Sequence, residues 1–407
     1  MSFLRNLRTT IKFREVHLNP TQRRLARAAN VEDLRKIARK RLPKGVFDYI
    51  DGAADTEWTM RENSSGFKRI AFRPRILRDV SNIETKTTLL GKTIDFPLVL
   101  APTGFGRIAH SQGELAVARS ADRANLPYTL STLGTRSIEE VSAVSKGRKW
   151  FQVYVWKDRE LLKEMLQRAS VHGFEAIMIT VDTPILGRRE RDIRNGFTLP
   201  PKIGIDTLLS GMIRPGWVWD FLRAEPITFA NVGGSHQGGD KSPIYLSEYI
   251  NGQFDPSLSW SDVEWFQKHW KGPIILKGIQ TVADAQLAAK AGVDAIALSN
   301  HGGRQLDYSP AMVDLVAPVA DAVGDQVEII CDGGIRHGSD IVKAVALGAR
   351  ACMLGRPYLY ALGAGGEAGV DFLLETLRRG FGDTLALTGT KKTSDLNRDI
   401  VHLRDHR

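Results

Sequence analysis

The stretch Ala295-Ile296-Ala297-Leu298-Ser299-Asn300-His301-Gly302-Gly303-Arg304 decides the fold. An apolar run short enough for one buried strand stops at a serine, an amide, an imidazole, two glycines and a guanidinium. The same form recurs around it. Ile274-Ile275-Leu276 stops at Lys277, Glu328-Ile329-Ile330-Cys331 at Asp332-Gly333-Gly334, and Ala351-Cys352-Met353-Leu354 at Gly355-Arg356. Upstream, Leu98-Val99-Leu100-Ala101 meets Pro102-Thr103-Gly104, and Tyr128-Thr129-Leu130 meets Ser131-Thr132. Phe151-Gln152-Val153-Tyr154-Val155 is a further run, and Ala176-Ile177-Met178-Ile179 ends in Thr180-Val181-Asp182. Strands buried on both faces of a parallel sheet read as continuous apolar runs. Parallel barrel strands carry their chemistry at their C-terminal tips.

Helical periodicity fills the intervals, over Glu114–Ala124, from Ile138, and over Arg159–Val171, Thr281–Ala291, Met312–Val323 and Ser339–Leu347. Alternation of strand and helix implies a parallel sheet. Eight units imply a (β/α)8 TIM barrel, with an open doubly wound sheet as the second reading, because residue counts do not establish closure. Residues 1–30 read as a basic arm and 31–95 as a helical lead-in packing on the barrel. In that lead-in Val31, Leu34 and Ile37 keep helical spacing, Pro43 and Gly45 break it, and 66–95 add short strands. The barrel spans 96–390, and 391–407 form a tail. A long insertion, 183–260, interrupts the rhythm after strand four, with Trp217, Trp219 and Phe221 between glycine and proline pairs. Loops of that length are usually functional or disordered. Packing of the aromatic group on the barrel is the preferred reading, ahead of membrane docking or cover over the active site.

The chain has 407 residues, 43% hydrophobic and 25% charged, which allows a sizeable core. Its two cysteines, Cys331 and Cys352, lie within apolar runs and read as core residues, so no disulfide framework or metal site is expected. Neither a signal peptide nor an apolar stretch long enough to span a bilayer is read. The net charge of +10 favours solubility and acidic surfaces. The basic residues are dispersed and no nucleic-acid module is present, so loose contact with an anionic membrane surface is the better expectation.

His301 is the sharpest candidate for a general base, since imidazole titrates near neutrality. A lone histidine is more often structural, but this one sits between a strand and a glycine-arginine turn. Asp182, at another strand tip, can orient the ring and balance an imidazolium; helix capping or a surface salt bridge is its plainer role. Arg304 offers a planar fork for a carboxylate. Arg188 and Arg189 offer a second cation, and one of them is expected to be solvated. Tyr49 and Tyr154 can donate hydrogen bonds, although tyrosine is common in cores. Lys277 can stabilise negative charge on a cofactor ring or form a Schiff base. Asp332-Gly333-Gly334-Ile335-Arg336 and Gly355-Arg356 read as phosphate-gripping ends of strands seven and eight, which tight turns alone would not explain.

From about Val31 onward the sequence resembles the FMN-dependent L-2-hydroxy acid oxidases and dehydrogenases, a family that includes glycolate oxidase, L-lactate dehydrogenase and mandelate dehydrogenase. The resemblance rests on Ser299-Asn300-His301-Gly302-Gly303-Arg304-Gln305-Leu306-Asp307, Thr180-Val181-Asp182-Thr183-Pro184 and Asp332-Gly333-Gly334-Ile335-Arg336. It implies His301 as base, Asp182 as its partner, Arg304 with Tyr49 on the substrate carboxylate, Tyr154 near the substrate hydroxyl and Arg189 as auxiliary cation. It implies FMN contacts from Thr103, Gly104, Ser131, Gln152, Thr180 and Ser299, with Lys277 beside flavin N1 and the C2 carbonyl. Asp332, Gly333, Gly334, Arg336, Gly355 and Arg356 then hold the ribityl chain and phosphate.

The implied reaction converts an L-2-hydroxy acid, L-lactate foremost, to the 2-oxo acid. Gly104 stands where many of the oxidases carry alanine, which favours a quinone or similar acceptor over oxygen. Leu133 replaces a tryptophan of glycolate oxidases, and His337 follows Arg336 where a second basic residue is common. No appended heme domain is read. An oxygen-using oxidase releasing hydrogen peroxide, an FMN-dependent isomerase and a non-enzymatic binding protein are the rivals. A homotetramer is implied by the family, and the expected location is cytoplasmic, with peripheral contact at the inner membrane face.

Overall fold

The computed structural model describes residues 17–196, 210–232 and 252–403. Eight parallel strands close into a barrel. In chain order they are β1 (Leu98–Leu100), β2 (Tyr128–Ser131), β3 (Lys149–Tyr154), β4 (Ala176–Thr180), β5 (Ile274–Ile279), β6 (Ala295–Leu298), β7 (Glu328–Asp332) and β8 (Ala351–Leu354). Closure is made between β8 and β1, where Cys352, Met353 and Leu354 pair in register with Leu98, Val99 and Leu100. That pairing excludes the open sheet. Almost every strand residue is buried, because side chains fill the barrel on one face and the helical ring covers the other.

The helices fall where the periodicity put them. Arg159–Val171 turns Leu161, Leu162, Met165, Leu166 and Ala169 inward and starts at Asp158, whose carboxylate accepts from the Leu161 N–H. Cys331 and Cys352 are register neighbours on β7 and β8, both buried thiols, and burial raises the pKa of each.

The lead-in forms helices Val31–Arg41, Lys44–Asp51 and Trp58–Gly66. The expected N-terminal arm is corrected in part. Pro20–Leu25 is a helix capped by Asn19, and Leu25 is buried against the core; residues 1–16 lie outside the described residues. The tail is also structured in part, since Val401–Leu403 pairs antiparallel with Ile70–Phe72. A helix over Arg356–Thr388, kinked at Gly365 and Gly366, packs on Val31–Arg41 and Gly338–Leu347.

The insertion contributes helices Glu190–Arg194 and Pro215–Arg223; residues 197–209 and 233–251 lie outside the described residues. Its aromatic group divides. Trp217 is half-buried and donates from Nε1 to the Ile108 carbonyl at 2.8 Å, as packing requires. Trp219 and Phe221 are exposed instead, together with Leu222.

Candidate active site

The tip of β6 places the base. His301, Gly302 and Gly303 have φ of 56°, 64° and 76°, three successive left-handed residues. For histidine this conformation costs about 1 kcal/mol, so the surroundings must enforce it. Asn300 does so. Its carboxamide exchanges two hydrogen bonds with Asn63, donates to the Pro310 carbonyl and accepts from the Gly303 N–H. The turn is thereby fastened to helix Trp58–Gly66.

The loop after β4 brings Asp182 to the ring, with Nδ1 of His301 3.1 Å from Oδ1. An ionised carboxylate only accepts, so Nδ1 carries the hydrogen and Nε2 keeps its lone pair. Burial lowers the His301 pKa, Lys277 lowers it further, and Asp182 opposes both. For Asp182, burial raises the pKa, but the charges of His301 and Lys277 outweigh it and the net shift is downward. Its second oxygen is buried without a partner among the described residues.

Arg304 lies across the cleft floor, 5.0 Å above the Tyr49 ring, and donates from Nη1 to the carbonyls of Tyr49 and Gly52 at 2.7 and 3.1 Å. Nη1 is its only nitrogen with an acceptor among the described residues, which leaves part of the fork for a ligand. Arg189 approaches the same ring at 5.8 Å and sits 3.5 Å from Asp192. Burial and then Arg189 press the Arg304 pKa down, a penalty that a bound carboxylate would relieve. Burial raises the pKa of the Tyr154 hydroxyl, which stays a donor, and the ring meets Phe254 edge-on.

One cleft joins Tyr49, Tyr154, Arg189, Lys277, His301 and Arg304 to Asp332, Gly333, Gly334, Arg336, Gly355 and Arg356. It holds about 1330 Å³ of atom-free space, open mouth included. Lys277 Nζ donates to Ser299 Oγ at 3.1 Å, and that hydroxyl donates to Asp332 at 2.6 Å. Ser131, Gln152 and Thr180 form a buried chain of 2.9 Å hydrogen bonds behind the lining. Thr103 and Gly104 line the wall; Thr103 bonds the Tyr358 hydroxyl at 2.7 Å, and Gly104 backs onto Leu133.

The residues present fit a flavin nucleotide. The lining combines the buried Lys277 side chain with glycines and Arg336. Among the described residues, the only close neighbours of a side chain at Gly355 would be Ala101 and Thr103, at 3.8 and 3.9 Å, so the glycine leaves that part of the cleft free. Gly334 has a different cause, since a Cβ there would stand 2.0 Å from the Asn63 carbonyl.

Three residues that hold this arrangement carry no role in the sequence reading. Asn63 secures the base turn. Gln305 ties the loop after β4 to the same turn through Asp182, Ile185 and Gly187. Asp51 is a buried carboxylate at the end of the helix that carries Tyr49. Gln305 lies inside the quoted motif, which was its only signal. The other two have none, because their partners are distant in sequence.

Comparisons with known proteins give the family and the fold. The family model described as FMN-dependent dehydrogenase matches residues 38–403. A Mycobacterium tuberculosis protein bearing the name "Putative L-lactate dehydrogenase" is 43% identical over 98% of this chain and 96% of its own. Glycolate oxidase of Spinacia oleracea is 42% identical over 91% of this chain and 95% of its own. The crystal structure of the monotopic membrane protein (S)-mandelate dehydrogenase superposes with a TM-score of 0.88, at 36% identity, over 93% of this chain and all of that one. The coverage is nearly end to end on both sides, and the chain belongs to the FMN-dependent dehydrogenase family, enzymes that oxidise 2-hydroxy acids.

Proposed function

We propose that the protein oxidises a small L-2-hydroxy acid, L-lactate above others, to the 2-oxo acid and passes the electrons to a quinone or similar acceptor. The observation that carries the reading is the His301–Asp182 pair in one cleft with the partly free fork of Arg304. FMN, when bound, supplies the two-electron acceptor. Arg304, with Arg189 beside Tyr49, grips the substrate carboxylate, and Tyr154 donates to the substrate hydroxyl. His301 Nε2 takes the departing proton, and Asp182 balances the imidazolium. Lys277 sets a positive charge where reduction adds negative charge. Thr103, Gly104, Ser131, Gln152, Thr180, Ser299, Asp332, Gly333, Gly334, Arg336, Gly355 and Arg356 form the cofactor cradle.

Two features support the acceptor reading. Gly104 follows the pattern of the dehydrogenases. Helix Pro215–Arg223 exposes Trp219, Phe221 and Leu222 beside Arg214 and Arg223, a surface suited to peripheral contact with an anionic membrane, where quinones reside. No described helix is long and apolar enough to cross a membrane. A homotetramer is proposed on the resemblance to the family alone.

The test is anaerobic mixing of the purified yellow protein with a panel of L- and D-2-hydroxy acids. L-lactate should bleach the flavin fastest and D-lactate should leave it unchanged. Readmitted air should restore colour slowly, whereas rapid recovery with stoichiometric hydrogen peroxide would replace the quinone by oxygen. A flavin that no 2-hydroxy acid bleaches would turn the reading toward an isomerase.

A further inference from the structure

A groove outside the active site lies between the end of helix Val31–Arg41, the turn Ala109–Ser111 after β1, Gly363 and helix Pro215–Arg223. It holds about 840 Å³ of atom-free space, open mouth included. None of its lining residues takes part in the chemistry described above. Its charges are unbalanced. Arg41 donates from Nε to the Gly363 carbonyl at 3.0 Å, and its two terminal nitrogens have no acceptor among the described residues. Arg223 lies 3.8 Å over the Trp219 ring and has neither a hydrogen bond nor an ion pair among the described residues. Asp220, the acid of the groove, pairs with neither arginine. Both of its oxygens accept from Ser111, one from the N–H at 2.8 Å and the other from the hydroxyl at 2.5 Å. Burial lowers the pKa of His110, so its imidazole is neutral near pH 7 and supplies no charge.

Arg24 adds to the excess. It bonds the Ala364 carbonyl at 3.4 Å and the Thr21 hydroxyl at 2.8 Å, and its pKa is lowered by burial and then by Arg41 and Arg23. Burial also lowers the Arg41 pKa, and Asp220 opposes this only in part. Crowded guanidinia with free donors suit an anion that carries several acceptor oxygens. The rim indicates what the anion is attached to. Trp219, Phe221 and Leu222 are exposed on the helix that bounds the groove. An apolar body joined to the anion would cover them while its charge stayed among the arginines.

We propose that this groove binds the phosphate group of an anionic phospholipid, with the guanidinia of Arg41 and Arg223 as its donors and Trp219 against the start of the acyl chains. The proposal deepens the membrane-contact reading above and rests on it.

The test uses FMN-loaded protein and reads tryptophan fluorescence. The probes are dihexanoyl phosphatidylglycerol below its micellar concentration, dihexanoyl phosphatidylcholine and inorganic phosphate. Phosphatidylglycerol should give a saturable change that Trp219→Phe diminishes, with an affinity at least tenfold above that for either other probe. Arg41→Met and Arg223→Met should each weaken that affinity at least fivefold. Equal affinity for inorganic phosphate would make this a site for a free anion and overturn the lipid assignment. Parental affinity in Arg41→Met would overturn the site. Should that variant fail to fold, parental affinity in Arg223→Met, whose side chain is exposed, would overturn it as well. Cosedimentation with vesicles of equal parts phosphatidylglycerol and phosphatidylcholine tests the membrane reading separately. Vesicle binding that both arginine variants keep, without saturable binding of the soluble lipid, would leave membrane contact standing and end the headgroup site. A parent that binds no vesicles would overturn the membrane contact, and the soluble-lipid affinities would still decide the role of the groove.

Discussion

Two buried carboxylates lie in the same architecture, and their hydrogen bonds set them apart. Asp51, at the end of helix Lys44–Asp51, is saturated. Arg35 forks onto both of its oxygens at 2.6 and 2.9 Å, Arg191 adds a contact at 2.9 Å, and the Tyr360 hydroxyl adds one at 2.8 Å. Asp182, at the barrel mouth, bonds His301 through one oxygen and leaves the other without a partner. The first has its charge neutralised where it stands and fixes the chain that carries Tyr49 and Gly52. The second keeps its charge for an imidazole whose own charge changes during turnover. A buried, half-satisfied carboxylate is costly, so its presence at a strand tip beside a strained histidine marks chemistry, while the saturated one marks scaffold.

The largest effect that would break this contrast is expected from Asp182→Asn. The amide removes the charge that balances imidazolium, and flavin reduction should slow by roughly 10³-fold with FMN still bound. The pH profile gives an independent check. His301 must be neutral to act, and burial with Lys277 already places its pKa below the ordinary 6.5. Asp182 opposes that shift, so its loss moves the acid limb of kcat/KM to still lower pH. Parental rates in Asp182→Asn, or an acid limb displaced upward, would make Asp182 another scaffold residue.

Asp51→Asn should act on stability instead. Burial works against its charge, but Arg35 and the other donors overcome this and hold its pKa at about 2, below the usual 3.8. A depressed carboxylate pKa contributes stability above about pH 4 and loses it as pH falls toward 2. At neutral pH the substitution leaves the half-buried Arg35 and Arg191 with less compensation and should cost about 2 kcal/mol, read as a lower urea midpoint. Flavin reduction in the folded fraction should change less than tenfold. A rate loss as large as that of Asp182→Asn would erase the distinction between the two carboxylates.

The sequence showed these features unequally, and the reason is range. Barrel strands are buried on both faces, so Ala295–Leu298 and Ala351–Leu354 appear as bare apolar runs with the bounds the structure confirms. Helix Arg159–Val171 keeps its period and its Asp158 cap within a single segment. His301 and Asp182 were visible because each ends a strand. Closure through Leu98 and Cys352 was not, since nothing local records which edges meet. The Arg356–Thr388 helix is interrupted by its own glycines, since Gly weakens helical propensity and it kinks at Gly365 and Gly366. The direction of the Arg356 side chain depends on carbonyls 54 and 304 residues away, and Asp51 on a tyrosine 309 residues away. No periodicity carries such pairings.

The smallest and most discriminating effect is expected at Gln305. Its amide donates to the carbonyls of Asp182 and Ile185 at 3.0 and 2.8 Å and accepts from the Gly187 N–H at 3.0 Å. One side chain thus sets the loop bearing Asp182 and Arg189 against the turn bearing His301 and Arg304. The approach is tight, because a Cβ at Gly187 would lie 2.3 Å from the Arg304 carbonyl. Gln305→Leu fills similar volume without the hydrogen bonds. The dyad should lose alignment rather than composition, at about tenfold in kcat/KM, or roughly 1.4 kcal/mol. Gln305→Glu separates alignment from charge. It cannot donate to the two carbonyls, and it places a second anion beside Asp182. That anion favours protonated His301, so the acid limb of kcat/KM should move to higher pH, opposite to Asp182→Asn. A limb that stays in place, with rates equal to those of Gln305→Leu, would show that the charge at the mouth is screened and that Asp182 acts by orientation alone.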